Sequence, residues 1–124
     1  MTGNKGFTLI EIMIALFLLT TALIGLASVT TMAMKGNAFS KTSTTATTLA
    51  KDKIEELEGT TYSSLPGTTT WDYWTAQGTL TSPTGAYFSR SWWSVPGTHT
   101  KTITVTVTWP PNRSVVLKTI RAED

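Results

Sequence analysis

The fold of this chain depends first on residues 7–34, FTLIEIMIALFLLTTALIGLASVTTMAM. From Ile12 to Met34 the stretch has no charged residue. These 23 residues would form about 34 Å of α-helix at ~1.5 Å per residue. The hydrocarbon core of a bilayer is about 30 Å thick, so the stretch predicts a membrane-spanning helix. Its Ser and Thr residues fit a helix because their hydroxyls can bond to carbonyls of the preceding turn.

A cleaved secretory signal peptide is the alternative interpretation of the same stretch. Lys5 would be its basic region, residues 7–26 its apolar region, and Gly25-Leu26-Ala27 a cleavage site of small residues. The apolar region is long for such a peptide, and Glu11 lies inside its first turn. The lysines leave the orientation of a membrane helix open, because Lys5 precedes the stretch and Lys35 follows it.

The composition excludes several classes of function. The 124 residues suffice for one small domain and an anchor. The net charge is +2 and the ten Lys and Arg residues are scattered, a pattern that argues against a nucleic-acid partner. The chain has no cysteine and one histidine, His99, so thiolate and multi-histidine metal sites are excluded. No set of nucleophile, base and acid stands out, and we predict neither an enzyme nor a cofactor.

The segment from Lys5 to Glu11, KGFTLIE, resembles the processing site of type IV prepilins and pseudopilins. The resemblance implies a leader peptide over residues 1–6 that ends in Gly6. It implies that a prepilin peptidase cuts before Phe7 and that the new amine of Phe7 is N-methylated. Glu11 then occupies the fifth position of the mature chain, where this superfamily has a glutamate.

A role for Glu11 follows from its cost in a membrane. A lone carboxylate at the centre of a bilayer costs about 2.5–3.5 kcal/mol on insertion scales, so it needs a cation. The resemblance implies that Glu11 pairs with the Phe7 amine of a neighbouring subunit and sets the register of packed helices. In the alternative interpretation, Glu11 only reaches the membrane interface, and its charge suits the first turn of a helix.

Residues 35–59 predict a second, amphipathic part of the helix. Gly36 and Asn37 make a break possible there, whereas the resemblance implies a helix that runs nearly unbroken from Phe7 to Glu58. Gly59 is a natural stop. The expected core face carries Ala46, Leu49, Ala50, Ile54 and Leu57, and the expected polar face carries Lys51, Asp52, Lys53, Glu55, Glu56 and Glu58. The acidic residues near the end of the helix oppose its dipole, a misfit that the sequence leaves unexplained.

Residues 60–124 predict a globular head. Residues 60–87 read as a loop that contains Trp71-Asp72-Tyr73-Trp74, either a sugar or partner patch or a cover over one end of the core. Strands are expected over residues 86–95, 101–109 and 114–121, with His99 in a solvated turn. In the second strand Ile103, Val105, Val107 and Trp109 should face the core. The expected fold is α+β, with the second half of the helix packed on an antiparallel sheet of three to four strands.

The resemblance is strongest to a PilV-type minor pilin. A major filament subunit is a weaker match for two reasons: there are no paired cysteines, and Ser28 stands where many major pilins carry proline. Two further functions fit the same N-terminal motif. One is a minor pseudopilin of type II secretion. The second is a subunit for pilus-tip adhesion or DNA uptake, which would use Trp71, Tyr73, Trp74, Trp92 or Trp93.

The resemblance also implies partners and a location. The expected partners are other pilin subunits, the prepilin peptidase, the assembly platform of a pilus or secretion system, and membrane lipid before assembly. The anchor, residues 7–34, would cross the inner membrane once, with the head in the periplasm. After assembly the protein would lie in a surface pilus or a periplasmic pseudopilus.

Overall fold

The computed structural model describes residue 3 and residues 6–123. It shows one α-helix followed by a five-stranded sheet, which confirms the predicted α+β fold. The elements are helix α1 (Leu9–Glu58), a 3-10 turn (Tyr62–Ser64), β1 (Thr70–Trp74), β2 (Leu80–Thr81), a second 3-10 turn (Pro83–Gly85), β3 (Phe88–Pro96), β4 (Thr100–Trp109) and β5 (Arg113–Ala122). The chain forms two compact units, Met1–Phe39 and Ser40–Asp124, and α1 contributes to both.

Helix α1 continues for 50 residues without the break that Gly36 and Asn37 made possible. One glycine costs a helix only about 1 kcal/mol relative to alanine, which its neighbours can offset. The Thr-rich segment adds hydroxyl-to-carbonyl bonds along the helix, such as Thr44 Oγ1 to the Ser40 carbonyl at 2.9 Å and Thr47 Oγ1 to the Ser43 carbonyl at 2.9 Å. The unbroken helix implied by the resemblance is therefore present, although it begins at Leu9.

The sheet is antiparallel with strand order β2-β1-β3-β4-β5. The three predicted strands are present, each within two residues of its expected ends. The prediction of a loop over residues 60–87 is wrong in part, because β1 and β2 lie within it. The Trp71–Trp74 segment forms β1 and pairs with β3, with Asp72 opposite Arg90. The Gly and Pro residues of this segment flank the two short strands, whereas the prediction took them as signs of one continuous loop.

The second part of α1 packs against the sheet as its apolar spacing predicts. Ala46, Leu49 and Ala50 are buried against Ile103 and Val105 of β4, while Ile54, Val115 and Leu117 cover the edge of this core. Alternate residues of β4 point into the core, as expected.

Lys53 is a correction to the predicted polar face, because it is buried with 8% of its surface exposed. Its ammonium lies 4.0 Å from the centre of the Trp92 ring and 2.7 Å from Glu56 Oε1. A lysine can bury its stem on apolar surface when its charge meets an aromatic face and a carboxylate. The other residues of the predicted polar face are exposed.

Arg90 of β3 carries a buried charge that contacts both helix α1 and the neighbouring strand β1. Its guanidinium bonds Asp72 through Nε at 3.0 Å and through Nη2, and it donates from Nη1 to the Leu49 carbonyl of α1 at 2.7 Å. It also lies 4.8 Å from the Trp74 ring centre and 5.7 Å from that of Trp92. The network connects α1, β1 and β3 through one planar group.

The end of α1 resolves the charge misfit seen in the sequence. Arg121 of β5 donates from Nη1 to the Glu58 carbonyl, and Thr119 Oγ1 donates to Glu58 Oε1 at 2.8 Å. A cation from the sheet therefore meets the negative end of the helix dipole. The acidic side chains at this end are tolerated because the sheet supplies that charge.

We expect Asp72→Asn to lower the free energy of unfolding by about 3 kcal/mol, since the side chains of Arg90 and Asp72 are only 5% and 18% exposed and Arg90 would lose its counter-charge. Chemical denaturation of the full chain in detergent, followed by tryptophan fluorescence, measures this change in the free energy of unfolding. Asp52→Asn, on the exposed face of α1, is the matched control and should change stability by less than about 0.5 kcal/mol. Equal effects of the two variants would contradict a central role for this pair.

Candidate functional site

The three residues predicted to direct processing and assembly lie at the start of α1. Gly6 and Phe7 precede the helix, and Glu11 is its third residue. All three are exposed, Phe7 with 80% of its surface. Lys5 and most of the predicted leader lie outside the described residues. The peptide bond between Gly6 and Phe7 is thus in an exposed segment without regular secondary structure, directly before a helix.

Thr8 caps the helix, a role that the sequence interpretation missed. The Glu11 amide donates to both the Thr8 carbonyl at 3.1 Å and Thr8 Oγ1 at 3.3 Å. Thr at the position before a helix, with Glu three residues later, is the sequence signature of a capping box. The motif Thr8-Leu9-Ile10-Glu11 could have revealed this cap. Glu11 consequently lies in the first turn, where the helix dipole stabilises a carboxylate.

The Glu11 carboxylate has no ion-pair or hydrogen-bond partner among residues 6–123. No cation among the described residues neutralises its charge. An amine brought to this turn would meet a carboxylate already fixed to a rigid helix. The geometry therefore suits an intermolecular ion pair, provided that the surroundings exclude water.

The first part of α1 exposes large apolar side chains on every side. From Phe7 to Phe39 they include Leu16, Phe17 and Ile24, each more than half exposed. The helix is long and apolar enough to cross a membrane, a test that a signal sequence would also pass. A helix that is apolar all round requires lipid or other protein around it.

Hydroxyl groups within this apolar part bond to the helix itself. Thr20 and Thr21 both donate to the Phe17 carbonyl, at 2.9 and 2.8 Å, and Ser28 donates to the Ile24 carbonyl at 3.0 Å. Thr30 and Thr31 repeat the pattern with Leu26 and Ala27. Because the hydroxyls are satisfied within the helix, they do not oppose transfer to an apolar environment.

The aromatic residues considered for a binding patch are divided between two faces of the sheet. Trp74 donates from Nε1 to Asp72 Oδ1 at 2.8 Å, and Trp92 is buried with 8% exposure, both on the face that meets α1. Trp71 is 53% exposed, and Trp71, Tyr73 and Trp93 lie on the opposite face. Asp72 is bound to Arg90, so the aromatic patch with an acid does not form as a unit.

The remaining polar candidates have local structural roles. His99 lies in the β3–β4 turn as predicted, with φ of 61°, and its Nδ1 is 3.0 Å from Glu123 Oε2. Two of the acidic residues near the end of α1, Glu56 and Glu58, bond Lys53 and Thr119. Within the described residues no three His, Asp or Glu side chains lie close enough to hold a metal ion.

Comparison with known proteins identifies the N-terminal segment. The family model described as the prokaryotic N-terminal methylation motif matches residues 1–27. This motif is characteristic of type IV prepilins and pseudopilins, which confirms the predicted resemblance at that level. The match includes Gly6, Phe7, Thr8 and Glu11. No curated protein and no solved structure matches the chain significantly.

We expect Thr8→Ala to loosen the first turn of α1, because removing an N-cap hydroxyl costs about 1 kcal/mol. Amide hydrogen exchange at Glu11, measured by NMR on the full chain in micelles, should then be about fivefold faster. Thr8→Ser retains the hydroxyl and should retain slow exchange. Thr20→Ala, which removes a hydroxyl bonded within the helix, is the control. Equal exchange in all variants would show that Thr8 does not cap the helix.

Proposed function

We propose, from the methylation motif at residues 1–27, that this protein is a minor type IV pilin that assembles into a filament or primes its assembly. Prepilin peptidase removes residues 1–6 by cutting between Gly6 and Phe7, and the new amine of Phe7 is N-methylated. Two features support the assignment: the scissile bond lies just before a capped helix, and that helix exposes an apolar surface all round. Both suit a subunit that is processed first and packed later.

The Glu11 carboxylate and the amine of Phe7 form the proposed contact between subunits. In one chain they lie four residues apart at the start of the helix, and Glu11 has no partner among residues 6–123. In a bundle, the amine of one subunit can meet the carboxylate of the next, and this pair fixes the axial offset. Packing and this ion pair direct the order, because the helices leave lipid for equally apolar protein.

The anchor, residues 7–34, holds the free subunit in the inner membrane, with residues 35–124 in the periplasm. Extraction by the assembly platform then moves the apolar helix from lipid into the filament core. A minor pseudopilin of type II secretion would use the same anchor and the same pair. Loss of surface pili, as against loss of secretion, after deletion in the native host separates these two functions.

We expect the mature protein to begin at N-methylated Phe7 and to retain the apolar helix. Intact mass and N-terminal sequencing of the protein from native membranes or filaments measure this directly. Gly6→Ile should leave the leader attached, whereas Gly3→Ile should be processed normally. Both glycines have open space around them, so neither change disturbs packing. A mature chain that starts near Ser28 would instead identify a secretory signal peptide and contradict the filament function.

We expect Glu11→Gln to reduce incorporation into filaments more than about 100-fold, since leaving one member of a buried pair uncompensated costs about 3–5 kcal/mol. Immunoblots of sheared filaments and of membranes give the incorporated and retained fractions. Processing before Phe7 and membrane retention should be unchanged. Glu55→Gln, on the exposed part of α1, should assemble normally. Normal assembly of Glu11→Gln would contradict the proposed pair.

A further inference from the structure

The sheet has an outer face, defined as the side opposite α1, which the proposed filament function does not use. It carries the odd-numbered residues of β1 and β3 and the even-numbered residues of β4 and β5. Within this set Lys118 is the only charged side chain, and most others are Ser and Thr. Trp71, Trp93, Val95, Val116 and Ile120 lie between the hydroxyls. The solvent-facing side of an antiparallel sheet is ordinarily polar, and here hydroxyl groups rather than charges supply that polarity.

A cavity of about 380 Å³ opens at one end of the outer face. Tyr73, Tyr87, Ser89, Thr108 and Asn112 line it together with proline and aromatic side chains, and none of its lining residues is charged. Ser89 Oγ and Thr108 Oγ1 are 2.7 Å apart and form a hydroxyl pair across two strands. Volumes of this size hold small ligands.

Three polar groups in the cavity have no hydrogen-bond partner within the part of the chain that the structure describes. The hydroxyls of Tyr73 and Tyr87 and the side-chain amide of Asn112 make no hydrogen bond within residues 6–123. Asn112 stands in the β4–β5 turn with φ of 60°, which fixes its backbone at the cavity edge. These groups offer both donors and acceptors without charge.

An aromatic surface continues from the cavity along the outer face. Ser91 and Thr104 are only 4% and 5% exposed, although α1 packs on the other side. Trp71 stands directly opposite Ser91, and Trp93 stands opposite Thr104. The two indoles are the largest side chains paired with these residues and are placed to cover them, and Lys118 also stands opposite Thr104. Trp71 nevertheless keeps 53% of its surface exposed.

We propose that the cavity binds one unit of a neutral glycan and that Trp71 and Trp93 carry the units that follow. The C–H groups on one face of a sugar ring are weakly positive and apolar, and they stack on the negative face of an aromatic ring. The hydroxyls around the ring need uncharged donors and acceptors, which Tyr73, Tyr87 and Asn112 supply.

Charge and area favour a glycan over macromolecular partners. Single-stranded nucleic acid requires cations for its phosphates beside the stacking rings, and the outer face offers only Lys118. A second copy of the chain would need an interface of about 800 Å² on each side. Four strands at ~4.8 Å spacing, over the ~30 Å that the nine residues of β3 span, give a projected area of only about 580 Å².

The test uses the full chain in zwitterionic micelles, because detergents with sugar headgroups would compete. Neutral hexasaccharides of glucose, galactose, mannose, xylose and N-acetylglucosamine, with α and β linkages, are titrated and followed by tryptophan fluorescence and calorimetry. We expect saturable binding of at least one hexasaccharide. Failure of all of them, or preferential binding of oligo-dT, would overturn the proposal, as would self-association that buries the outer face.

Variants locate the binding site. Trp71→Ala and Tyr73→Ala should each weaken glycan binding about tenfold or more, and Tyr73→Phe should show how much the hydroxyl contributes. Ile120→Ala, an exposed residue of the same face on the edge strand β5, is the control and should bind normally. Thermal unfolding of each variant separates lost binding from lost folding. Binding that survives both alanine substitutions in folded protein would overturn the assignment to this face.

Discussion

The head of this protein depends on the contacts of one buried group, the guanidinium of Arg90. A planar group with five N–H donors can satisfy partners in several directions at once. Here it bonds the Asp72 carboxylate in β1 and the Leu49 carbonyl in α1 while two indole rings lie near it. A charge with 4% exposure is stable only when it is paired in this way. The register of β1 on β3 and the seating of α1 on the sheet are therefore coupled.

The same interaction decides which aromatic residues remain accessible. Placing Asp72 opposite Arg90 on the helix side also places Trp74 there, because side chains of a strand alternate between faces. Trp71 and Tyr73 must then point to the outer face, next to Trp93 of β3. One buried ion pair thus divides a run of aromatic residues between the face that meets α1 and the outer face of the sheet.

The two parts of helix α1 differ in how their apolar side chains are distributed. Its second part is amphipathic and completes the core of the head, with the Lys53 ammonium held over Trp92. Its first part is apolar on all sides and carries the Glu11 carboxylate in a turn capped by Thr8. The head is a folded unit, whereas the first part of the helix requires lipid or other subunits. This division fits a protein that is anchored first and assembled afterwards.

The local features of this protein are readable from its amino-acid sequence. The charge-free run of 23 residues, the three-and-four spacing from Ala46 to Leu57 and the alternation in β4 specify their elements through short-range physics. The N-terminal methylation motif was also readable, because a motif at the start of an apolar helix depends only on neighbouring residues. Tertiary structure decided the rest. Asp72 of β1 pairs with Arg90 of β3, the Lys53 ammonium lies over the Trp92 ring, and Arg121 offsets the helix dipole from 63 residues away in sequence. These contacts join residues distant along the chain, so no local pattern records them.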